Sequence, residues 1–414
     1  MPRDATTVCA ERHTAAVAAR KHAADAVAGA GATPAFSFVC LGVGGGPMEN
    51  NCSAYLMKPA DRGWEEGTTL VEAGSWLGAL VTLLENPKSS ALSDAPLPQD
   101  MSAEGCAHIF NAWVSNVIIS HGHLDHIFGL VLASAAQNTQ RPVFGLQDTL
   151  ETIQSVFNGR VWPRLASFCA EDPLAFYHLQ PLTMGAERRL LDDIIVKPFA
   201  VSHGRSFLPE GTASYHSELC ARDAPPPHMH AGSIESTVST AFLFTHTRMD
   251  RDALAQFLGD VEPDAVGGTG HNRALWEAVA PRVAARRLRA VFLECSFSST
   301  QPNHLLFGHL TPTHLYHELQ TLAQCVHTIR APTGHDMDVQ GCLHGLKCIV
   351  IHIKGMTLSH QGTVTCSTAS AAPDARHVPA DLRAEITAEL AALENAARLG
   401  VEFIVAEQGQ RIEC

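Results

Sequence analysis

The sequence predicts an α/β fold in which two packed sheets bear flanking helices, and three observations point that way. A β-branched apolar run, Val114-Ser-Asn-Val-Ile-Ile119, passes through a polar turn into the apolar, helix-compatible stretch 127–136, which makes a strand-to-helix unit. Short apolar runs of the same kind stand at 36–46, 194–200, 240–245, 291–297 and 349–354. The chain has 414 residues, 46% of them hydrophobic, enough for one large domain. Two sheets with their helices would use roughly 250 to 300 residues and leave room for loops and a tail.

Residues 1–34 are alanine-rich and mix Arg3, Arg12, Arg20 and Lys21 with Asp4, Glu11 and Asp25. Without a continuous apolar core they predict a flexible or weakly helical tail, not a signal peptide. A single domain is expected over 35–414. It opens at Phe36-Ser-Phe-Val-Cys-Leu-Gly-Val-Gly-Gly-Gly46, a strand running into a glycine turn. That turn lacks the Lys-Ser/Thr ending and the following helix of a phosphate-binding loop. Stretches 51–57 and 68–74 read as the next strands. Residues 86–106 are polar, contain Pro and Ser, and read as a loop insertion. A helix is expected over 149–156, leading to Phe157-Asn-Gly-Arg-Val-Trp-Pro163. Residues 208–234 read as a second insertion around Ala224-Pro-Pro-Pro-His-Met-His230; a Pro-rich loop solvates His228 and His230, which are left out of the site. Residues 250–258 look helical, and 379–398 read as a final helix before the apolar stretch 401–405.

Between the first strand-helix pair stands Ser120-His-Gly-His-Leu-Asp-His126. Three imidazoles and a carboxylate fall within six positions. Borderline-soft nitrogen beside hard oxygen suits zinc, and four donors on one turn exceed what a single structural corner uses. With 23 histidines in the chain, the pattern His-x-His-x-Asp-His should arise by accident with a probability of roughly 0.3%. No cysteine stands nearby at zinc-finger spacing. The chemistry implied is a binuclear metal centre that activates water at neutral pH.

His-x-His-x-Asp-His resembles the signature of the metallo-β-lactamase superfamily, which implies a metallo-β-lactamase-like four-layer αβ/βα sandwich. The longer stretch His121-Gly-His-Leu-Asp-His-Ile-Phe-Gly-Leu-Val-Leu-Ala-Ser-Ala135 resembles that of the class II cyclic-nucleotide phosphodiesterases, the fungal type. The resemblance covers about Phe36 to Lys354. It implies two divalent metal ions, zinc by preference. His121, His123 and His203 would hold one ion, and Asp125, His126 and His352 the other. Asp260, in Gly-Asp after an apolar stretch, would bridge them. His203 is expected at a strand end and His352 inside a buried strand. The superfamily commonly supports its metals with Asp-x-Gly; this chain has Glu72-Ala-Gly74, which leaves the role of Glu72 open.

Glu294-Cys-Ser-Phe297 and Gly308-His-Leu-Thr-Pro312 resemble family segments whose order matches the Glu and His motifs of tRNA 3′-processing endonucleases. Thr311 is a plausible N-cap with Pro312 at the first helical position. A histidine oriented by a glutamate is a good general acid, so Asp125, Glu294 and His309 are the candidate catalytic residues. His309 could equally be a helix-entry residue bonded to the backbone; His314 and His317 on the helix are weaker candidates. Phe157 and Trp162 are core anchors or, alternatively, rings that stack on a nucleobase.

The expected function is hydrolysis of 3′,5′-cyclic nucleotides, cAMP with cGMP as a candidate second substrate, to 5′-nucleoside monophosphates. One alternative is an RNA endonuclease of the tRNA-processing type, which would need a basic arm that the sequence lacks. Another is a metal-dead scaffold, which would have lost donors. A formal charge of −13 favours a small substrate over a nucleic-acid polymer. No apolar run approaches the roughly 18 residues of a membrane span. The twelve cysteines show no Cys-x-x-Cys pair, which suits reduced thiols in the cytoplasm. A homodimer completes the expected partners.

Overall fold

A computed structural model describes residues 33–207, 234–249, 254–331, 338–354, 357–358, 364–365 and 381–414. Along the chain run β1 (Phe36–Gly42), β2 (Ala54–Pro59), β3 (Thr68–Ala73), α1 (Leu77–Glu85), α2 (Ala103–Trp113), β4 (Val114–Ile118), α3 (Leu124–Ala133), β5 (Arg141–Gly145), α4 (Gln147–Val156), β6 (Ala166–Ser167) and β7 (Tyr177–Pro181). There follow β8 (Arg188–Leu191), β9 (Ile194–Phe207), β10 (Ile234–His246), β11 (Leu254–Leu258), α5 (Asp264–Gly267), α6 (His271–Ala284), β12 (Leu288–Glu294) and α7 (Pro312–Arg330). The last elements are β13 (Lys347–Ile351), the short pair β14 (Thr357–Leu358) and β15 (Val364–Thr365), α8 (Leu382–Ala397), β16 (Glu402–Val405) and β17 (Arg411–Glu413).

One sheet has the order β17-β1-β2-β3-β4-β5-β7-β6 and the other β16-β13-β12-β11-β10-β9-β8. Successive residues of a strand face opposite sides, and both faces are buried here. Val117 of β4 packs with Leu80, Phe110, Leu130 and Ile153 of α1–α4, whereas Ile118 faces Phe242, Phe292 and Ile349 of the second sheet. Phe38 and Phe292 meet across that inter-sheet layer with ring centroids 4.6 Å apart. A third apolar layer joins Leu243, Val291 and Val350 to Trp276, Leu319 and Leu390 of α6–α8. Three apolar layers between four structural ones make the αβ/βα sandwich that the resemblance implies. No helix among the described residues is long and apolar enough to cross a membrane.

Parallel pairing links β3-β4-β5 in the first sheet and β11-β12-β13-β16 in the second. Ligands of such sheets bind outside the carboxyl ends of the strands, and these ends converge on the candidate residues.

Four expectations need correction. Residues 254–258 form strand β11, because pairing with both β10 and β12 overrides a helix-compatible composition. His203 lies within β9, which continues to Phe207 past a register irregularity opposite Ser236 and Val238. His352 is the first residue beyond β13, with φ at 61°. The 86–106 insertion ends early: Ser102 caps α2 by accepting from the Gly105 N–H, and Ala91 and Leu92 are buried against the first sheet's helices. Residues 208–233, with His228 and His230, lie outside the described residues, as does the 1–34 tail up to residue 32. The C-terminal stretch belongs to both sheets, β16 pairing with β13 and β17 with β1.

Candidate active site

The turn after β4 is fixed from beneath by Glu72. Its Oε1 accepts from the Ser120 N–H at 3.0 Å, and its Oε2 lies 3.2 Å from His126 Nδ1. The longer side chain thus reaches both the turn and a candidate ligand, with Glu72 itself at φ 57°. His121 Nδ1 meets Ser120 Oγ at 3.0 Å. His123 occupies the N-cap position of α3, so Asp125 and His126 fall in its first turn.

The other donors arrive from the second sheet. Local irregularity at a bulge re-aims a side chain, and at the irregularity in β9 His203 Nδ1 donates to the Gly308 carbonyl at 2.9 Å. Gly204 (φ 70°) and Gly308 (φ 82°) touch there; a Cβ on Gly308 would stand 2.7 Å from Gly204 N. The His352 backbone N–H donates to the Val43 carbonyl at 2.7 Å. The His352 ring lies over Gly45, where a Cβ would sit 2.3 Å from His352 Cε1. The glycine turn of the sequence therefore makes room for an imidazole.

Asp260 sits between the two groups. Its Oδ2 is 3.6 Å from both His121 Nε2 and His203 Nε2. Its Oδ1 is 3.3 Å from His126 Nε2 and 3.1 Å from His352 Nε2. Potential ligand atoms of His121, His123, His203 and Asp260 all lie within 4.8 Å of one another, and so do those of Asp125, His126, Asp260 and His352.

These residues fit a pair of cations. Burial holds His121 well below the ordinary imidazole range and pushes His203 down to about 4, so each keeps a lone pair. With Nδ1 donating to Gly308, His203 Nε2 is bare, and it faces His123 Nδ1 at 3.1 Å. His126 Nε2 faces His352 Nε2 at 3.3 Å. His121 Nε2 is buried without a hydrogen-bond partner. Burial alone would lower His126, yet Asp260 and Asp125 outweigh it and raise it. Burial opposes the charge on Asp260, but His352 and His126 keep it ionised. Converging nitrogen lone pairs and buried carboxylate charge are relieved together by divalent metal ions.

The Glu294–His309 pair also forms. Both side chains are buried, and His309 Nδ1 lies 2.9 Å from Glu294 Oε1. The His309 ring stacks on His352 with centroids 5.1 Å apart. The two aromatic candidates do not join the site. Phe157 is 2% exposed and packs edge-on against Tyr177 at 5.9 Å, so it has no free face. Trp162 is half-buried against the same core, and its Nε1 donates to Ser134 Oγ at 2.7 Å. Phe307, by contrast, is 61% exposed with φ at 52°. In the sequence it stands immediately before Gly308-His309.

The sequence matches the profile of the family described as cAMP phosphodiesterases class-II over residues 45–409. A 3′,5′-cyclic-nucleotide phosphodiesterase of Schizosaccharomyces pombe is 30% identical over 387 residues, spanning 91% of this chain and 92% of that protein. A probable 3′,5′-cyclic-nucleotide phosphodiesterase of Yersinia pestis is 26% identical over 379 residues, spanning 91% and 89%. The crystal structure of unliganded yeast PDE1 superposes with a TM-score of 0.69 at 22% identity, over 92% of this chain and 100% of that one, a likeness of fold.

Proposed function

The chain belongs to the class-II cAMP phosphodiesterases, and from that premise we propose that its His/Asp cluster hydrolyses 3′,5′-cyclic nucleotides, cAMP and also cGMP, to 5′-nucleoside monophosphates. The observation that supports this most is the convergence of seven donors from two sheets around Asp260. His121, His123 and His203 would hold one zinc ion and Asp125, His126 and His352 a second, with Asp260 shared. Bound there, the ions would neutralise charge on the phosphoryl oxygens and lower the pKa of water toward ~7.

The chain's own residues account for the leaving group. Water adds its oxygen to phosphorus and releases a proton to solvent, the P–O3′ bond breaks, and the departing 3′ oxygen takes one proton from a group that solvent then reprotonates. His309 supplies it from Nε2, because its Nδ1 is engaged by Glu294 at 2.9 Å. Burial works against the charge on Glu294, but the His309 imidazole outweighs it and keeps the carboxylate ionised. The ionised carboxylate stabilises the imidazolium and holds its orientation.

The two alternatives lose ground. The two relatives described above are named as cyclic-nucleotide phosphodiesterases, a charge of −13 disfavours a polyanion, and a dead scaffold would not keep all seven donors. Residues 35–414, which group as one compact unit, are read as a single catalytic domain. Nine free cysteines among the described residues support a reducing compartment such as the cytoplasm. Purified protein should release 5′-AMP from 3′,5′-cAMP, lose that activity on chelation and regain it with zinc. Protein carrying two metals per chain but inert toward cAMP and cGMP would sink the substrate assignment.

Phe307 offers the face for the base that Phe157 and Trp162 lack. A bulky residue at positive φ is uncommon, and this one stands two residues before His309. Stacking of a base on an aromatic ring contributes roughly 1–3 kcal/mol, so Phe307→Ala should raise KM for cAMP roughly 5- to 150-fold with kcat little changed. An unchanged KM would remove Phe307 from the site.

A further inference from the structure

We infer that Ser296 is a positioning residue: its hydroxyl fixes which nitrogen of His352 carries the proton, and so keeps the second metal position open. The inference rests on the functional reading above only in taking His352 for a ligand.

Glu294 has four donors around its two oxygens. Oε1 lies 2.9 Å from the Val261 N–H and 2.9 Å from His309 Nδ1. Oε2 lies 2.7 Å from Ser296 Oγ and 3.3 Å from the Leu310 N–H. An ionised carboxylate is an acceptor only, with room for about four such bonds. Ser296 therefore spends its single hydrogen on Glu294. The His352 carbonyl, 3.0 Å from the same hydroxyl, competes for that hydrogen at the longer distance.

Ser296 Oγ also lies 3.0 Å from His352 Nδ1. With its hydrogen committed to Glu294, the hydroxyl can only accept there, so His352 Nδ1 must donate. A histidine that ligates a cation is neutral and carries one N–H, which leaves His352 Nε2 as a lone pair toward the ion. That atom faces Asp125 Oδ2 at 3.2 Å and Asp260 Oδ1 at 3.1 Å. Ser296 and Glu294 are both fully buried, so water does not substitute for either.

Removing the hydroxyl removes the acceptor at Nδ1. The proton then moves to Nε2, where Asp125 and Asp260 both accept it. His352 becomes a donor toward those carboxylates and is closed to a cation. One serine thus ties the metal ligand to the Glu294–His309 pair through a chain of defined polarity, His352 to Ser296 to Glu294.

The test is zinc titration of the full chain by equilibrium dialysis, with melting temperature as a control. Outer-shell partners of metal-bound histidines typically account for 10- to 100-fold in affinity. Ser296→Ala and the nearly isosteric Ser296→Cys should each weaken one of two zinc ions by that factor and leave the other unchanged. Ser296→Thr, which keeps a hydroxyl, should restore the loss; if it does not fold, the Ala and Cys pair still decides. Substituting cobalt should alter the visible absorption of one site only. Two ions bound by Ser296→Ala with wild-type affinity would overturn the inference. So would equal weakening of both ions, or a fallen melting temperature at unchanged affinity, since either marks a packing role. A wild-type protein that binds two ions but leaves cAMP intact would refute the substrate and leave this test standing.

Discussion

Asp260→Asn should reduce kcat/KM on cAMP by about a thousandfold or more, which is about 4 kcal/mol of transition-state stabilisation. The carboxylate reaches His121 and His203 with one oxygen and His126 and His352 with the other. Asparagine keeps the shape but presents one oxygen and an NH₂ whose hydrogens point at nitrogens. Both metal positions should weaken together, and metal content measured after gel filtration should fall with activity. The melting temperature of chelated protein should also fall, because asparagine removes one partner of the buried Asp260–His126 pair. Near-wild-type turnover with two ions retained would contradict the shared role of Asp260.

His309→Asn should lower kcat by 10²- to 10⁴-fold, the usual range for loss of a general acid. Both metals should stay bound, since His309 is not among the seven donors. A sharper check replaces the 3′ bridging oxygen of the substrate by sulfur, a leaving group that needs no proton. The gap between wild type and variant should then shrink to a few-fold. An equal deficit on both substrates would move His309 from proton donor to a merely structural role.

Sequence and structure agree best where chemistry is local. His121, His123, Asp125 and His126 share one turn, so their spacing alone announces a centre. His203, Asp260 and His352 could be ordered by resemblance, but their backbone settings could not be read. A bulge needs a partner strand, and the backbone N–H of His352 bonds to Val43 at the other end of the chain. β11 is a strand because β10 and β12 flank it, which no composition reveals. Phe157 and Phe307 are the same residue type, one in the core and one in solvent, and only packing tells them apart. Gly45 is legible as a turn; the reason it must lack a side chain is a ring contributed by His352.

The donors are divided between the sheets. Four hang from the turn after β4, while His203 lies within β9 and Asp260 and His352 follow β11 and β13 of the other sheet. Neither half closes a coordination set alone. An ion lodged among them therefore acts as a clasp across the sandwich, and what it contributes to binding it also contributes to keeping the halves together. At a thousandfold excess over its Kd, such an ion adds about 4 kcal/mol to folding stability, a large share of what a domain has in reserve. A cell starved of metal would not only slow this enzyme but would also thin its population, leaving stripped chains to proteolysis.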